Sequence, residues 1–376
     1  MTNEFPAIVC HEPISGPNLR LERLRVSRRP QEHELKVRMV ATGLCHTDLY
    51  MASLPAAVSG YPKVIGHEGA GIVEEVGPGV QIAAAGDPVL LSFDYCKQCE
   101  LCTDGLPSYC LAFAKLNVAG EPGIFEIADK GEKVYGKFFG QSSLSAVTIV
   151  SETSVVNVKD TIKDQEELKL LAPLGCGLMT GVGAVLNAAR VKPHDIVIVT
   201  GLGAVGLGAI MAAKIAGCKE IIAVDRVASR LKVAQELGAT KLLDSSKEGS
   251  DMSTNLRELV NNQRIAYAIE TTGVASVITG TIQALGKRGK LIQIGLPKPG
   301  TELTIALSEF LKGSKIYESH AMGETSGNAM IPRMLQWYRD GKLPVEKIAT
   351  FVPVTKFTEA IHGMESGTLI KPILLW

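Results

Sequence analysis

Cysteine and histidine are the residues here whose spacing could do chemistry. Four thiols crowd into fifteen residues as Cys96-x2-Cys99-x2-Cys102-x7-Cys110. Four thiolates on one short loop can close a tetrahedral zinc site. A site with no vacant position is structural, because neither water nor substrate can reach the metal. The C-x2-C spacing argues against disulfides in an intracellular chain, and free thiols this crowded would be an oxidation hazard. Three further candidates are scattered: Cys45 in Gly43-Leu-Cys-His-Thr-Asp48, His67 in Gly66-His-Glu-Gly69, and Cys176 in Pro173-Leu-Gly-Cys-Gly177. Two thiolates and one imidazole would make a zinc site with its fourth position open. Taken singly, each has a plainer reading as a buried apolar thiol or a hydrogen-bonded turn histidine. Spacing alone cannot join residues so far apart.

A second constellation is Gly201-Leu-Gly203-Ala204-Val205-Gly206. It follows an apolar strand pattern and opens a helical one, as a dinucleotide-binding turn requires. Gly201 permits the tight turn, Gly203 lets a pyrophosphate approach the backbone, and Gly206 lets helix and strand pack. The helix N-terminus offers free N–H groups to phosphate. A second strand pattern ends at Asp225, nineteen residues beyond Gly206. Its carboxylate can accept from both ribose hydroxyls and repels a 2′-phosphate, so NAD is expected over NADP. Arg226 follows directly and pulls the other way.

The elements that must position these groups fall into two kinds. Residues 1 to about 155 read as short strands such as 34–40, 71–76 and 146–150, broken by Gly and Pro turns. Past about residue 178 strands and helices alternate: strands at 195–200, 220–225, 241–243, 266–270, 290–295 and 314–317, with helices at 204–216, 228–237, 252–261 and 274–285. That alternation predicts a parallel sheet with right-handed crossovers. A helix is expected at 330–340. The last residues, from 347 on, look β-like with a helix near 357–365, so the tail is expected to return to the first domain. The expected domains are 1–177, completed by 316–376, and 178–315.

The whole-chain balance excludes some classes of partner. In 376 residues there are 39 basic and 39 acidic side chains, so no basic excess points to nucleic acid or anionic membrane. The first ten residues show no secretory signal, and a cytoplasmic location is expected. The uncharged stretch 196–213 is long enough to suggest a membrane span. Its four glycines, with Asp195 and Lys214 at its edges, fit a buried strand, turn and helix better.

With these motifs together, the chain resembles the zinc-dependent medium-chain alcohol dehydrogenases from about residue 5 to its end. Within them it is most similar to the aryl (benzyl) alcohol dehydrogenases, through Phe138-Phe-Gly-Gln-Ser-Ser143 and Ala172-Pro-Leu-Gly-Cys-Gly-Leu-Met-Thr-Gly181. The resemblance implies an α/β fold: a GroES-like β-rich catalytic domain and a Rossmann coenzyme domain with a six-stranded parallel sheet. It implies two zinc ions per chain, with Cys45, His67 and Cys176 holding the catalytic one. Thr47 would pass the alcohol proton toward the cofactor ribose. Asp48 would orient His67, and Glu68 would neighbour the metal and assist ligand exchange. His46 and Lys371 would contact the pyrophosphate, Thr180 the nicotinamide and Arg230 the adenosine ribose, while Gly295 would add to the cofactor contacts.

Two departures narrow this reading. Many family members end the proton relay on a histidine five residues after the first cysteine ligand, where this chain has Tyr50. Polyol dehydrogenases commonly use a glutamate ligand, so Cys176 argues against sugar alcohols. The expected activity is hydride transfer between NAD(H) and a primary, benzylic or aryl, alcohol or aldehyde. The alternatives are a dehydrogenase of secondary alcohols or formaldehyde–thiol adducts, and a non-catalytic dinucleotide sensor. A sensor predicts loss of the scattered zinc ligands, and all three are present. Leu54, Phe93, Tyr95 and Leu116 are candidate pocket residues. A homodimer or homotetramer is expected, with 301–306 as an edge strand across a dimer.

Overall fold

The computed structural model describes residues 4–13, 19–246 and 251–376. The chain divides into two compact units. One comprises Met1–Cys176, Thr325–Gln336 and Ala349–Trp376; the other comprises Gly177–Glu324 and Trp337–Ile348.

The first unit opens with β1 (Phe5–Cys10), β2 (Leu19–Val26), β3 (Glu34–Gly43), α1 (His46–Ala52), β4 (Lys63–Val64), β5 (Gly69–Val76) and β6 (Pro88–Leu91). It continues with β7 (Glu121–Ile127), β8 (Lys133–Gly136), β9 (Val147–Ser151) and β10 (Val155–Asn157). β1, β2, β7, β8 and β4 close into a barrel, while β3, β5, β6, β9 and β10 belong to a second sheet. Alternation drives the pairing. On β3, Leu35, Val37 and Met39 point into a core with Val73, Val89, Leu91, Val150 and Val155, and Lys36 and Arg38 face outward.

In the second unit β11 (Ile196–Thr200) is buried at all five residues, as expected of a central parallel strand covered on both faces. The glycine turn follows, and then α2 (Ala204–Ile215), which is apolar on nearly every side. That accounts for the uncharged stretch, and among the described residues no helix is long and apolar enough to cross a membrane. The remaining strands are β12 (Glu220–Asp225), β13 (Lys241–Asp244), β14 (Tyr267–Glu270), β15 (Lys290–Gln293) and β16 (Ile316–Ser319). The six-stranded parallel sheet runs in the order β13-β12-β11-β14-β15-β16.

The chain then supplies β17 (Ala349–Pro353) and β18 (Lys371–Leu375) to the first unit's second sheet. β18 pairs antiparallel with β3, placing Ile373 opposite Gly43. One sequence expectation differs. β16 pairs with β15 and is the last strand of the parallel sheet, so the second unit extends past 315 and also includes 337–348. Thr301–Ala306 pairs with no strand of its own chain among the described residues, and Leu303 and Ile305 pack on the core of the second unit.

A buried ion network anchors the start of β3. Arg28 donates to both oxygens of Glu34 at 2.5 and 3.0 Å, and Lys137 donates at 2.9 Å. Burial would raise the Glu34 carboxyl, but Arg28, the Gln31 N–H and Lys137 outweigh it and lower it to about 2. A depressed folded-state value means the stabilisation is present above the unfolded value of about 4.5 and lost as pH falls through about 2. Acid unfolding of Glu34→Gln should therefore show a flatter pH dependence in that window. Its stability at neutral pH should fall by about 2 kcal/mol, read by denaturant melts.

Candidate active site

Three elements converge on the scattered ligand set. Cys45 precedes α1 as its N-cap, His67 lies in the turn between β4 and β5, and Cys176 follows the short turn Ala172–Gly175. Cys45, His67, Cys176 and Glu68 each offer a ligand atom, and these atoms all lie within 4.8 Å of one another. His67 and Glu68 are fully shielded from solvent and Cys176 nearly so. His67 Nε2 sits 3.1 Å from the Cys176 sulfur, while Nδ1 sits 2.6 Å from Asp48 Oδ1. An ionised carboxylate can only accept, so Nδ1 carries the proton and Nε2 turns a lone pair toward the thiols. Asp48 uses its other oxygen on the Cys45 N–H at 3.0 Å. One carboxylate thus fixes two of the three ligands.

The electrostatics suit a cation. Its hydrogen bond with Cys176 is the main influence holding the Cys45 thiol well below its usual range, against burial, with His67 and Lys371 adding to the effect. Burial disfavours the His67 cation, but Asp48 and then Cys45 outweigh it and raise the imidazole well above its usual range, so a metal at Nε2 would take the place of that second proton while Nδ1 keeps its own. Behind them Lys371 donates to both Glu68 oxygens at 2.9 Å and to the Leu44 carbonyl at 2.8 Å. Burial nevertheless raises Glu68 to about 7, with Lys371 lowering it and Cys45 raising it. Two soft thiolates, a neutral imidazole lone pair and a nearby carboxylate fit zinc with one exchangeable position. A Cβ at residue 43 would stand 2.1 Å from Glu68 Oε2, which makes glycine necessary there.

Aromatic side chains pack against His67. Phe139 lies 4.7 Å from the His67 ring and Phe138 5.8 Å, centroid to centroid. Phe113 meets Phe139 at 5.9 Å and Phe93 at 6.0 Å, and Phe93 meets Tyr95 at 5.9 Å. Lys137, Phe139 and Ser142 all have positive φ, a costly conformation for side chains of this size. The bend is braced from several sides. Ser142 donates to Val64, and Gln141 donates to the carbonyls of His67 and Ser92. Phe113 and Gln141 were invisible as site residues in sequence, because only the fold brings them to His67. Phe93 and Tyr95 join this cluster.

The four-cysteine loop is a separate centre. Its sulfurs all lie within 4.8 Å of one another. Cys96 and Cys102 sulfurs are 3.9 Å apart, far beyond a disulfide bond, and all eight cysteines are free. Backbone N–H groups of Cys99 and Cys96 point at the sulfurs of Cys96 and Cys110, at 3.3 and 3.4 Å. The N–H groups of Leu111 and Cys102 lower Cys99 to about 6. Four sulfurs with donors aimed at them fit a closed zinc site.

In the second unit, Gly201 has φ +82° and Gly203 caps α2. A Cβ at Gly206 would sit 1.8 Å from the Gly201 carbonyl, whereas one at Gly203 would meet nothing within 4 Å. Gly206 serves packing, and Gly203 leaves the open cradle a pyrophosphate needs beside the first N–H groups of α2, those of Ala204 and Val205. Asp225 is buried and accepts from the Leu202 N–H at 2.7 Å and the Val227 N–H at 2.8 Å. It therefore braces the turn as well. The buried Nε of Arg230 has no hydrogen-bond partner, which suits a missing ligand, whereas Arg226 is exposed. Thr180 is buried, and Gly295 donates to the Glu270 carbonyl at 3.0 Å. His46 is exposed at the first turn of α1 and Thr47 is half-buried. Lys371 spends its three ammonium protons on Glu68 and Leu44, so a pyrophosphate contact would compete with those bonds.

Comparison with known proteins matches both halves. Residues 31–160 match the alcohol dehydrogenase GroES-like domain, and 204–340 match the zinc-binding dehydrogenase domain. The chain is 35% identical to a geraniol dehydrogenase of Castellaniella defragrans, covering 96% of this chain and 95% of that protein. It is 32% identical to an S-(hydroxymethyl)glutathione dehydrogenase of Komagataella pastoris, covering 100% and 99%. Among solved structures, a benzyl alcohol dehydrogenase from Acinetobacter calcoaceticus aligns with a TM-score of 0.89 at 35% identity, covering 99% of each chain.

Cys99→Ser should release one zinc ion per chain and lower the melting temperature by on the order of 5 °C or more. Metal analysis and a thermal melt check this. Full zinc content in a stable variant would contradict a closed four-sulfur site.

Proposed function

Because the chain belongs to the zinc-dependent medium-chain alcohol dehydrogenases, we propose that it transfers hydride between NAD(H) and a primary benzylic or related alcohol or aldehyde. The observation that carries the substrate class is the aromatic run from His67 through Phe139, Phe113 and Phe93 to Tyr95. Rings gathered beside His67 would offer a flat, conjugated substrate stacked and edge contacts. The names of two relatives fit, since geraniol is an allylic alcohol and benzyl alcohol its aromatic counterpart.

Bound in these sites, zinc supplies a Lewis acid for the alcohol oxygen, and NAD supplies the hydride acceptor. Cys45, His67 and Cys176 hold the catalytic metal, with Glu68 in reach as an exchanging neighbour. Cys96, Cys99, Cys102 and Cys110 hold the structural one. Asp48 keeps the proton on His67 Nδ1, so that Nε2 remains a ligand throughout. Thr47 takes the hydroxyl proton as it leaves the substrate and passes it toward the cofactor ribose, with Tyr50 where many relatives end on histidine. Phe138 and Phe139, packed on His67, would keep water from this side of the site and help hold a substrate ring in place. Gly201, Gly203, Gly206 and the first N–H groups of α2 cradle the pyrophosphate. Asp225 and Arg230 would take the adenosine ribose, Thr180 and Gly295 the nicotinamide end, and His46 the phosphates, which Lys371 would join only by giving up a bond to Glu68 or Leu44. A second reading, action on formaldehyde–thiol adducts, is favoured by the yeast relative's name alone.

A panel of benzylic, allylic and aliphatic alcohols with NAD tests the substrate class. Benzylic and allylic alcohols should exceed ethanol by at least about tenfold in kcat/KM. Preference for short aliphatic alcohols, or turnover only with glutathione plus formaldehyde, would overturn it. Asp225→Asn keeps the side chain's size and removes its charge, so the ratio of NAD to NADP efficiency should fall by about tenfold; the melting temperature should also fall by a few degrees, because one of the two backbone N–H groups on Asp225 loses its acceptor. An unchanged ratio would count against the role given to Asp225.

A further inference from the structure

Lys63 is a lysine with almost no access to water: it is 3% exposed. It lies on β4 directly opposite Cys10 of β1, and antiparallel partners present their side chains on one face. The ammonium donates to the Met51 carbonyl at 2.9 Å and to the Ser59 hydroxyl at 2.8 Å, and lies 4.2 Å from the centre of the Tyr61 ring. Ser59 spends its own proton on the Val118 carbonyl. The Tyr61 hydroxyl lies 2.8 Å from the carbonyls of both Ala52 and Leu54, and the Cys10 sulfur 3.9 Å from that of Ala52. The Met51, Ala52 and Leu54 carbonyls all belong to the C-terminal end of α1 or the turn after it. A helix leaves its last carbonyls unsatisfied and carries partial negative charge there, so a buried cation is well placed at that end.

The other end of α1 carries the chemistry. Cys45 caps it, Asp48 reaches His67, and Thr47 lies between them in sequence. We propose that Lys63 is a positioning residue, whose ammonium holds the C-terminal end of α1 and so sets where the helix presents Thr47 and Asp48. This rests on the dehydrogenase reading for its catalytic consequence, and on geometry alone for the anchoring. α1 is seven residues long. A helix that short moves as a rod of about 10 Å, so freedom at one end becomes displacement at the other. Thr47 must stand within hydrogen-bond reach of the substrate hydroxyl, and small misplacements of such groups are costly.

Titration gives the anchor a signature. Burial lowers Lys63 to about 8, with Cys10 opposing. The titratable groups facing it are Cys10, raised to about 11, and Tyr61, raised to about 12, both chiefly by burial; Glu12 acts on Cys10 from beyond β1. Above about 8 the amine is neutral and its hydrogen bonds to carbonyls weaken, since charge-assisted bonds are about twice as strong. The effect on global stability has the opposite sign. The folded chain releases this proton near 8 and the unfolded chain near 10.5, so this group's contribution to stability rises between those values. Anchoring is lost where stability is gained, which a purely structural lysine would not produce.

The test compares the zinc-loaded wild type with Lys63→Met and with Tyr61→Phe. Four quantities are measured: kcat and KM for benzyl alcohol against pH, zinc per chain, melting temperature, and hydrogen exchange of residues 46–54 corrected for intrinsic rates. Lys63→Met should keep both zinc ions and lose kcat by about tenfold at about pH 7, with KM changed less than threefold or so. The wild-type to variant kcat ratio should shrink toward one by about pH 9.5, while α1 amides exchange faster in the variant than in the wild type at about pH 7. Tyr61→Phe should show the faster exchange without the pH-dependent ratio, and it serves if Lys63→Met does not fold. Wild-type kcat with unchanged α1 exchange in either folded variant would overturn the proposal, as would a kcat ratio independent of pH for Lys63→Met. If the wild type oxidises no alcohol and α1 exchange still responds to Lys63→Met, the dehydrogenase reading fails and the anchoring stands.

Discussion

The hydrogen bond between Asp48 and His67 is the constraint on which the candidate catalytic site depends. It is 2.6 Å long and shut away from solvent. Through it a residue on α1 decides which nitrogen of a histidine on the neighbouring turn is free. The same carboxylate grips the Cys45 N–H, so one helix places one ligand directly and a second by its tautomer. Cys176 then has to arrive from more than a hundred residues away, and it does so because the turn before it is packed against β6: Ser92 donates to the Gly175 carbonyl at 2.7 Å.

Around that bond, charge and apolar surface are layered. Lys371 and Glu68 form a buried pair on one side, and the bent segment 137–142 presses two phenylalanine rings on the other. A buried pair of this kind contributes little net stability. Here it keeps a carboxylate near the thiols without leaving a bare charge. The positive-φ residues of the aromatic bend carry a conformational cost, and they persist because Ser142 and Gln141 bind the segment to β4, His67 and β6.

What was legible in the sequence follows from range. The four-cysteine loop could be read outright, because all its ligands lie on one loop and spacing alone implies closure. The glycine turn and Asp225 could be read from strand and helix patterns on either side, and β12 and the helix at 228–237 fell where those patterns put them. Cys45, His67 and Cys176 could be joined only by resemblance, since a ligand set assembled by folding has no local spacing. Phe113, Gln141 and Lys63 were not readable at all. Each acts through contacts made across strands, and a lysine in an apolar strand looks like a surface residue until its neighbours are known. Lys371 was read as a cofactor contact by resemblance, while its buried pairing with Glu68, 303 positions away, emerges only from the fold.

The most direct measurement is zinc retention by Asp48→Asn against a chelator, beside the wild type. An asparagine keeps the size of the side chain but no longer dictates a proton on Nδ1. One of the two zinc ions should leave the variant at a chelator activity about 10–100 times lower than in the wild type, and the other should leave both proteins together. Superimposable release of both ions would contradict the account, because the Asp48–His67 bond would then have no part in holding the metal.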